Sequence, residues 1–261
     1  MNIIVCIKQV PETTEVKIDP ETNALIREGV ASIVNPFDEN AIETALQLRD
    51  KHGGKVTVIT MGPPQAESAL RQALAMGADE AILLTDPKFR GSDTLATSYA
   101  LAQTIRKIGD YDLIICGKQA IDGDTAQVPP GVAERLGLPQ VTFVINVEVE
   151  GKTLRCKRML EDCFEVVQTR LPAVISVVKQ INEPRHPPMK GVLRARRAQI
   201  PHWTAADIGA EDELCGFDGS PTFVERVFTP PKRQAQGEVF QGETEEVVEA
   251  LFQRLKQLDL A

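Results

Sequence analysis

The sequence predicts an α/β domain built on a parallel sheet, and three observations carry that prediction. Up to Pro139, short β-rich apolar runs recur along the chain. Those runs are unbroken rather than alternating, as expected of strands covered on both faces. Between them lie segments whose apolar residues repeat at helical spacing.

The first run covers residues 3–7, a second 56–61, a third 81–85 and a fourth 113–116. A helix is expected from Asn35-Pro36-Phe37-Asp38, with Asn35 as N-cap, Pro36 in the first turn and Asp38 at its third position. Ala41, Ile42, Ala45 and Leu46 then mark its inner face. Further helices fit residues 65–76, 93–108 and 125–136.

After Pro139 the pattern changes. Residues 141–149 and 153–159 alternate around Glu150-Gly151-Lys152 and read as a β-hairpin, with more strand at 164–169 and 173–178. A basic, proline-rich stretch follows over 182–191 and continues into Arg194, Arg196 and Arg197. Beyond Trp203 periodicity fades until the last stretch recovers a helix. Glu243, Glu245 and Glu246 stand at its start and Arg254 and Lys256 near its end, in keeping with the helix dipole. Val247, Val248, Leu251, Phe252, Leu255 and Leu258 form its apolar stripe. The organisation expected is an α/β domain over 1–202 and a C-terminal arm over 203–261, the arm seeking a partner surface.

Composition excludes several classes. With 37 acidic against 29 basic residues and a formal charge of −8, a general affinity for nucleic acid or anionic membrane is disfavoured. No apolar run is long enough for membrane insertion. The chain starts straight into a strand-like run without a leader pattern, so a cytoplasmic location is expected. The five cysteines are scattered and never spaced C-x-x-C, so neither a disulfide framework nor a metal site is expected. Cys6 and Cys116 read as small buried hydrophobes, and His52, His186 and His202 as surface residues.

In a parallel sheet, ligands gather at the carboxyl ends of the strands. The richest of those ends here is Gly117-Lys118-Gln119-Ala120-Ile121-Asp122-Gly123-Asp124-Thr125-Ala126-Gln127-Val128. Its glycines allow close backbone approach, and the amides that open the next helix suit a phosphate. Asp122 and Asp124 fit poorly beside a phosphate; capping the helix or bonding a ribose hydroxyl suits them better. No G-x-G-x-x-G follows the first strand, and neither a P-loop nor a G-x-S-x-G elbow occurs. No side chain is assigned a catalytic acid or base role.

This loop resembles the nucleotide loop of electron transfer flavoprotein β subunits. The resemblance extends, in order, through Val5-Cys6-Ile7-Lys8-Gln9-Val10-Pro11, Asn35-Pro36-Phe37, Ala73-Leu74-Ala75-Met76-Gly77-Ala78-Asp79, Leu171-Pro172-Ala173-Val174 and Asn182-Glu183-Pro184-Arg185. It implies a Rossmann-like domain with an extended C-terminal arm around an α subunit, in an obligate heterodimer. It also implies an adenine nucleotide in a cleft formed by Cys6, Ile7, Lys8, Asn35, Pro36, Phe37, Asp38, Met61, Gly62 and the 117–128 loop.

Respiratory-type β subunits hold AMP and tend to carry D-D-D-x-N-Q-T in this loop. The present Asp122-Gly123-Asp124-Thr125-Ala126-Gln127-Val128 is more similar to the branch in which β carries FAD and the complex oxidises NADH. Val10-Pro11-Glu12-Thr13-Thr14-Glu15 and Gly91-Ser92-Asp93-Thr94-Leu95-Ala96-Thr97-Ser98 point the same way, with Asp93, Thr94 and Thr97 beside the cleft. In that branch the β flavin is the proposed bifurcating site. It sends one electron to ferredoxin or flavodoxin and the other, through the α flavin, to an acyl-CoA dehydrogenase. The sequence departs from the family around Arg158 to Glu165, where Cys156 and Cys163 replace commoner residues. By position Met189 takes the place of the family's docking anchor, flanked by Arg194, Arg196 and Arg197. Two alternatives remain: an AMP-holding β subunit with flavin only in α, and a stand-alone nucleotide-binding or ATP-hydrolysing α/β protein.

Overall fold

The computed structural model describes residues 1–12, 17–18, 25–26, 32–225, 237–258 and 260. Thr13, Thr14 and Glu15 of the branch motif, and parts of the C-terminal arm, lie outside the described residues.

The sheet strands are β1 (Asn2–Cys6), β2 (Lys55–Met61), β3 (Glu80–Leu84), β4 (Leu113–Gly117), β5 (Gln140–Glu150), β6 (Thr153–Met159), β7 (Phe164–Arg170), β8 (Ala173–Val177) and β9 (His202–Trp203). The helices are α1 (Pro36–His52), α2 (Glu67–Met76), α3 (Thr94–Ile108), α4 (Val128–Leu136), α5 (Met189–Arg197) and α6 (Thr244–Gln257). One sheet runs in the order β7-β6-β5-β8-β4-β1-β2-β3-β9. Every neighbouring pair from β5 to β9 is parallel, and β5-β6-β7 is the antiparallel addition expected of the hairpin.

Chain order explains where the cleft forms. From β1 the chain moves outward through β2 and β3, then returns to place β4 on β1's other side. The diverging connections leave a crevice between the carboxyl ends of β1 and β4, the switch point of a parallel α/β sheet.

The unbroken apolar strands are buried on both faces, and residue parity assigns each side chain to a layer. Ile3 and Val5 pack with Ile42, Leu46 and Leu70 on one face, whereas Ile4 and Cys6 pack with Ala100, Ile105 and Val132 on the other. Burying such a side chain contributes about 1.5–3 kcal/mol, so these two layers carry most of the stability.

The structure departs from expectation in three places. The basic stretch after Pro188 is helical: α5 lies against α2, with Arg194 Nη2 donating to the carbonyls of Leu74 (2.9 Å) and Ala78 (2.8 Å). Those carbonyls end α2, where a guanidinium also favours the helix dipole. A Cβ on Gly191 would fall 2.1 Å from the Ala75 carbonyl oxygen, so the helices meet where a side chain is missing. Periodicity missed α5 because its inner face is Gly191, Arg194 and Ala195 rather than large apolar residues.

Second, α4 begins at Val128 rather than at 125, since Asp124 and Ala126 have positive φ (54° and 55°) and break the helical path. Third, the compact unit runs to Val227, past the boundary expected at 202. β9 adds a strand beside β3, and Ala205, Ile208 and Cys215 bury against the α3 face. The second unit, from Phe228, contains α6, whose Val248, Leu251 and Phe252 are exposed, as is Leu258 just past its end. Among the described residues no helix is long and apolar enough to cross a membrane.

Asn182 and Arg185 bind the post-sheet segment to α1. Asn182 Nδ2 donates to the Asn40 carbonyl (3.1 Å) and to Thr44 Oγ1 (2.8 Å), and Asn40 returns a bond to the Asn182 carbonyl (2.8 Å). Arg185 grips Glu43, Nε to Oε2 at 2.7 Å and Nη2 to Oε1 at 3.1 Å, and the Glu43 side chain is 5% exposed. Arg185→Ala leaves that carboxylate buried without its cation and is expected to destabilise the chain by about 3 kcal/mol. Urea unfolding of this variant beside a Glu43→Gln/Arg185→Met double variant checks it, the double variant losing less.

Candidate functional site

The cleft is assembled by hydrogen bonds from one helix start to two strand ends. Asp38, in the first turn of α1, receives the Lys8 amide on Oδ2 (2.7 Å) and the Gly117 amide on Oδ1 (3.2 Å). Asn35 stands at the N-cap position, but its side chain makes no cap. Instead Nδ2 donates to the Gln119 carbonyl (2.8 Å) and Oδ1 receives the Ile121 amide (3.2 Å). The residues expected in the cap and first turn thus bond other segments rather than their own helix, Asp38 the ends near β1 and β4 and Asn35 the loop. Pro36 between them needs no partner for a missing N–H.

Gly117 is where backbone must come closest. A Cβ there would lie 2.2 Å from Asp38 Oδ1 and 2.8 Å from Phe37. Cys6 and Cys116, side by side in register, are buried under this floor. The hydrogen bond with Cys6, and then burial, hold the Cys116 thiol well above its usual range, so it stays a neutral packing group. Burial pushes Asp38 from 3.8 up to about 7, against the pull of the Lys8 amide, the Asn35 side chain and the Gly117 amide.

The remaining predicted residues distribute as follows. Lys8 Nζ reaches across the cleft to Asp122, 2.7 Å from either oxygen. With side chains 48% and 28% exposed, this pair is worth under about 1 kcal/mol and can open to a ligand. Asp124 accepts from the Gln119 side chain. Neither aspartate caps α4, which has no side-chain cap. Thr94 Oγ1 donates to Gln127 Oε1 (2.9 Å), joining the start of α3 to the loop, and Thr97 is half-buried one turn further on.

Asp93 is committed elsewhere: Oδ1 caps α3 through the Leu95 (2.8 Å) and Ala96 (3.1 Å) amides, and Oδ2 accepts from Thr222 Oγ1 (2.8 Å). Its role is therefore helix cap and anchor for the segment after β9, which sequence reasoning did not connect to this loop. Ser220 Oγ accepts the Asp93 amide (2.8 Å) in the same tie. Met61 and Gly62 end β2 beside the cleft, where Gln9 Nε2 bonds the Gln65 carbonyl (3.1 Å) and Ser68 Oγ (2.6 Å).

The donors for an anion differ from those expected. Pro129 and Pro130 occupy the first turn of α4 and offer no N–H. The donors move into the preceding loop: the amides of Thr125, Ala126 and Gln127 meet no acceptor among the described residues. Ala126 has φ 55° and Gln127 is right-handed, a backbone alternation that turns successive N–H groups to one side. Residues 121–125 and Gln127 are exposed, and Gly123 has nothing within 4 Å of a Cβ position. Free amides, the Lys8 ammonium, and the Thr94 and Thr125 hydroxyls fit a phosphate-bearing nucleotide lying over Gly117. The proposed docking residues lie apart on α5: Met189 is 74% exposed, while Arg194 is committed to α2.

A family model described as the electron transfer flavoprotein domain matches residues 22–208. The electron transfer flavoprotein subunit beta of Thermoanaerobacterium thermosaccharolyticum is 53% identical over 256 residues, covering 98% of each chain. Protein FixA of Azorhizobium caulinodans is 53% identical over 241 residues, 89% of this chain and 86% of its own. The caffeyl-CoA reductase–Etf complex subunit CarD of Acetobacterium woodii is 49% identical over 259 residues, 98% of each.

Gly117→Ala should lower stability by about 2 kcal/mol through overpacking against Asp38 and Phe37. Gly123→Ala, in open space, should stay within about 0.5 kcal/mol of the parent. Thermal denaturation of the two variants side by side makes the comparison.

Proposed function

Since the chain belongs to the electron transfer flavoprotein family, on the side of its β subunits and FixA proteins, we propose that it holds FAD over the Gly117 loop. In this reading it pairs with an α subunit to pass electrons from NADH to two acceptors. One is ferredoxin or flavodoxin; the other, reached through the α-subunit flavin, is an acyl-CoA dehydrogenase. The observation that carries the reading is the run of amides at 125–127 that meet no acceptor among the described residues, in the same loop whose Asp122 pairs with Lys8. That donor set suits a pyrophosphate, and Asp122 is free to exchange Lys8 for a ribose hydroxyl.

FAD, when bound, supplies the exchange between two-electron and one-electron chemistry. The chain's own residues bind and orient. Asp38 and Asn35 hold the floor, Lys8 answers phosphate charge, and Thr94 with Gln127 pins the loop to α3. A relative named for a caffeyl-CoA reductase–Etf complex supports a CoA-thioester oxidoreductase as one partner. Met189, Leu193, Arg196 and Arg197 on α5, apolar among cations, suit docking on an acidic surface. The exposed apolar stripe of α6 suits packing on the α subunit.

Co-expression with the α subunit, followed by a count of FAD and AMP per heterodimer and bleaching by NADH, tests the reading. Two FAD bleached by NADH are expected; one FAD with one AMP gives the respiratory-type alternative, and a colourless chain that binds no α subunit overturns both. In the same heterodimer Thr94→Ala/Thr97→Ala should weaken the β-site nucleotide roughly tenfold, the worth of one or two hydrogen bonds, and leave the α flavin in place.

A further inference from the structure

We propose that Asp38 is a positioning residue of the cleft: its carboxylate clasps the ends of β1 and β4 and couples nucleotide binding to proton uptake. The coupling rests on the nucleotide-cleft reading above; the clasp does not.

The geometry is that of a two-point tie. One oxygen takes the Lys8 amide at 2.7 Å and the other the Gly117 amide at 3.2 Å, so a single side chain spans the two strands whose connections diverge. Asp38 is 5% exposed, leaving little room for water to solvate its charge. Gly117 leaves no space for a Cβ against it, so the carboxylate is wedged rather than resting on the strand.

The charged and titratable groups around it are few. From the segment just after β1 comes the Lys8 ammonium, already held by Asp122 at 2.7 Å. From β1 and β4 come the buried Cys6 and Cys116 thiols. On α1 itself stands Glu39, bonded by Gln72 (2.8 Å), and near its start the Lys179 ammonium lies 5.2 Å over the Phe37 ring. The buried carboxylate thus depends on the Lys8 and Gly117 amides and the Asn35 side chain for compensation.

Desolvation raises the group from 3.8 to about 7. Between those values the folded chain holds a proton that the unfolded chain releases. This group's contribution to stability is therefore full below about 4 and lost as pH rises through about 7. A nucleotide phosphate entering above Gly117 brings negative charge beside the carboxylate and favours its protonated form. Affinity for an anionic nucleotide should then fall as pH rises through neutrality.

The test begins with the heterodimer, in which the parent chain carries ¹⁵N-Lys and ¹⁵N-Gly beside an unlabelled α subunit. The Lys8 and Gly117 amide signals are expected to titrate together between about pH 6 and 8, moving downfield as Asp38 ionises. The shared step should vanish in the near-isosteric Asp38→Asn. FAD is the binding probe, because its pyrophosphate keeps a constant charge over this range. Calorimetry should find it several-fold tighter near pH 6 than near pH 8 in the parent, and equal at both in Asp38→Asn.

Amide signals that stay fixed across the range overturn the clasp, and this arm needs no variant to fold. Titrating amides with pH-independent FAD affinity overturn the coupling. Titrating amides in a heterodimer whose β cleft takes up no FAD at any pH overturn the FAD-cleft reading and the coupling with it, while supporting the clasp.

Discussion

A buried carboxylate between two strand ends is an expensive thing for a fold to keep. Removing an ionised group from water costs several kcal/mol unless hydrogen bonds replace its hydration. Asp38 recovers part of that cost from the Lys8 and Gly117 amides, and its raised pKa is the part left over. The exchange joins α1, β1 and β4 at one point. Much of the cleft follows from it: the loop after β4 starts at a fixed height, Asn35 meets Gln119 and Ile121, and Lys8 projects toward Asp122.

The same economy appears at the periphery, where polar side chains do what an apolar core does elsewhere. Arg194 and Arg71 tie α5 to α2 through backbone carbonyls, with Arg71 Nη1 reaching the Ala195 carbonyl at 2.6 Å. Arg185 and Asn182 tie the segment before α5 to α1. These ties leave Met189 and Leu193 facing solvent on an α5 whose position is fixed. In the proposed docking role, an α5 that is rigid before it meets a partner loses less entropy on binding.

Most of the sheet was legible in the sequence because its strands are buried on both faces, so the physics writes them as unbroken apolar runs bounded by glycine or proline. β1 to β4 and the β5-β6-β7 meander were readable within a residue or two. The start of α4 was misplaced because Thr125 and Gln127 look acceptable in a helix; the two positive-φ residues between the strand and Val128 leave no compositional mark, since neither is glycine. α5 was missed for the opposite reason, an inner face built from a glycine and two arginine-to-carbonyl ties.

By itself the sequence determined the order of β1 to β8 and of most helices along the chain, the position of the 117–128 loop at a strand's carboxyl end and the residue types gathered there. It did so because periodicity, burial and turn chemistry are local properties of the chain. Only the tertiary structure decided which of those residues bond one another and which keep free polar groups. Asn35 gave up its cap to hold the loop, Asp93 was claimed by α3 and Thr222, and Asp38 became the buried tie between strands. Those outcomes depend on which polar groups meet across distant segments, and the meeting exists only once the sheet has brought residues 8, 38 and 117 together.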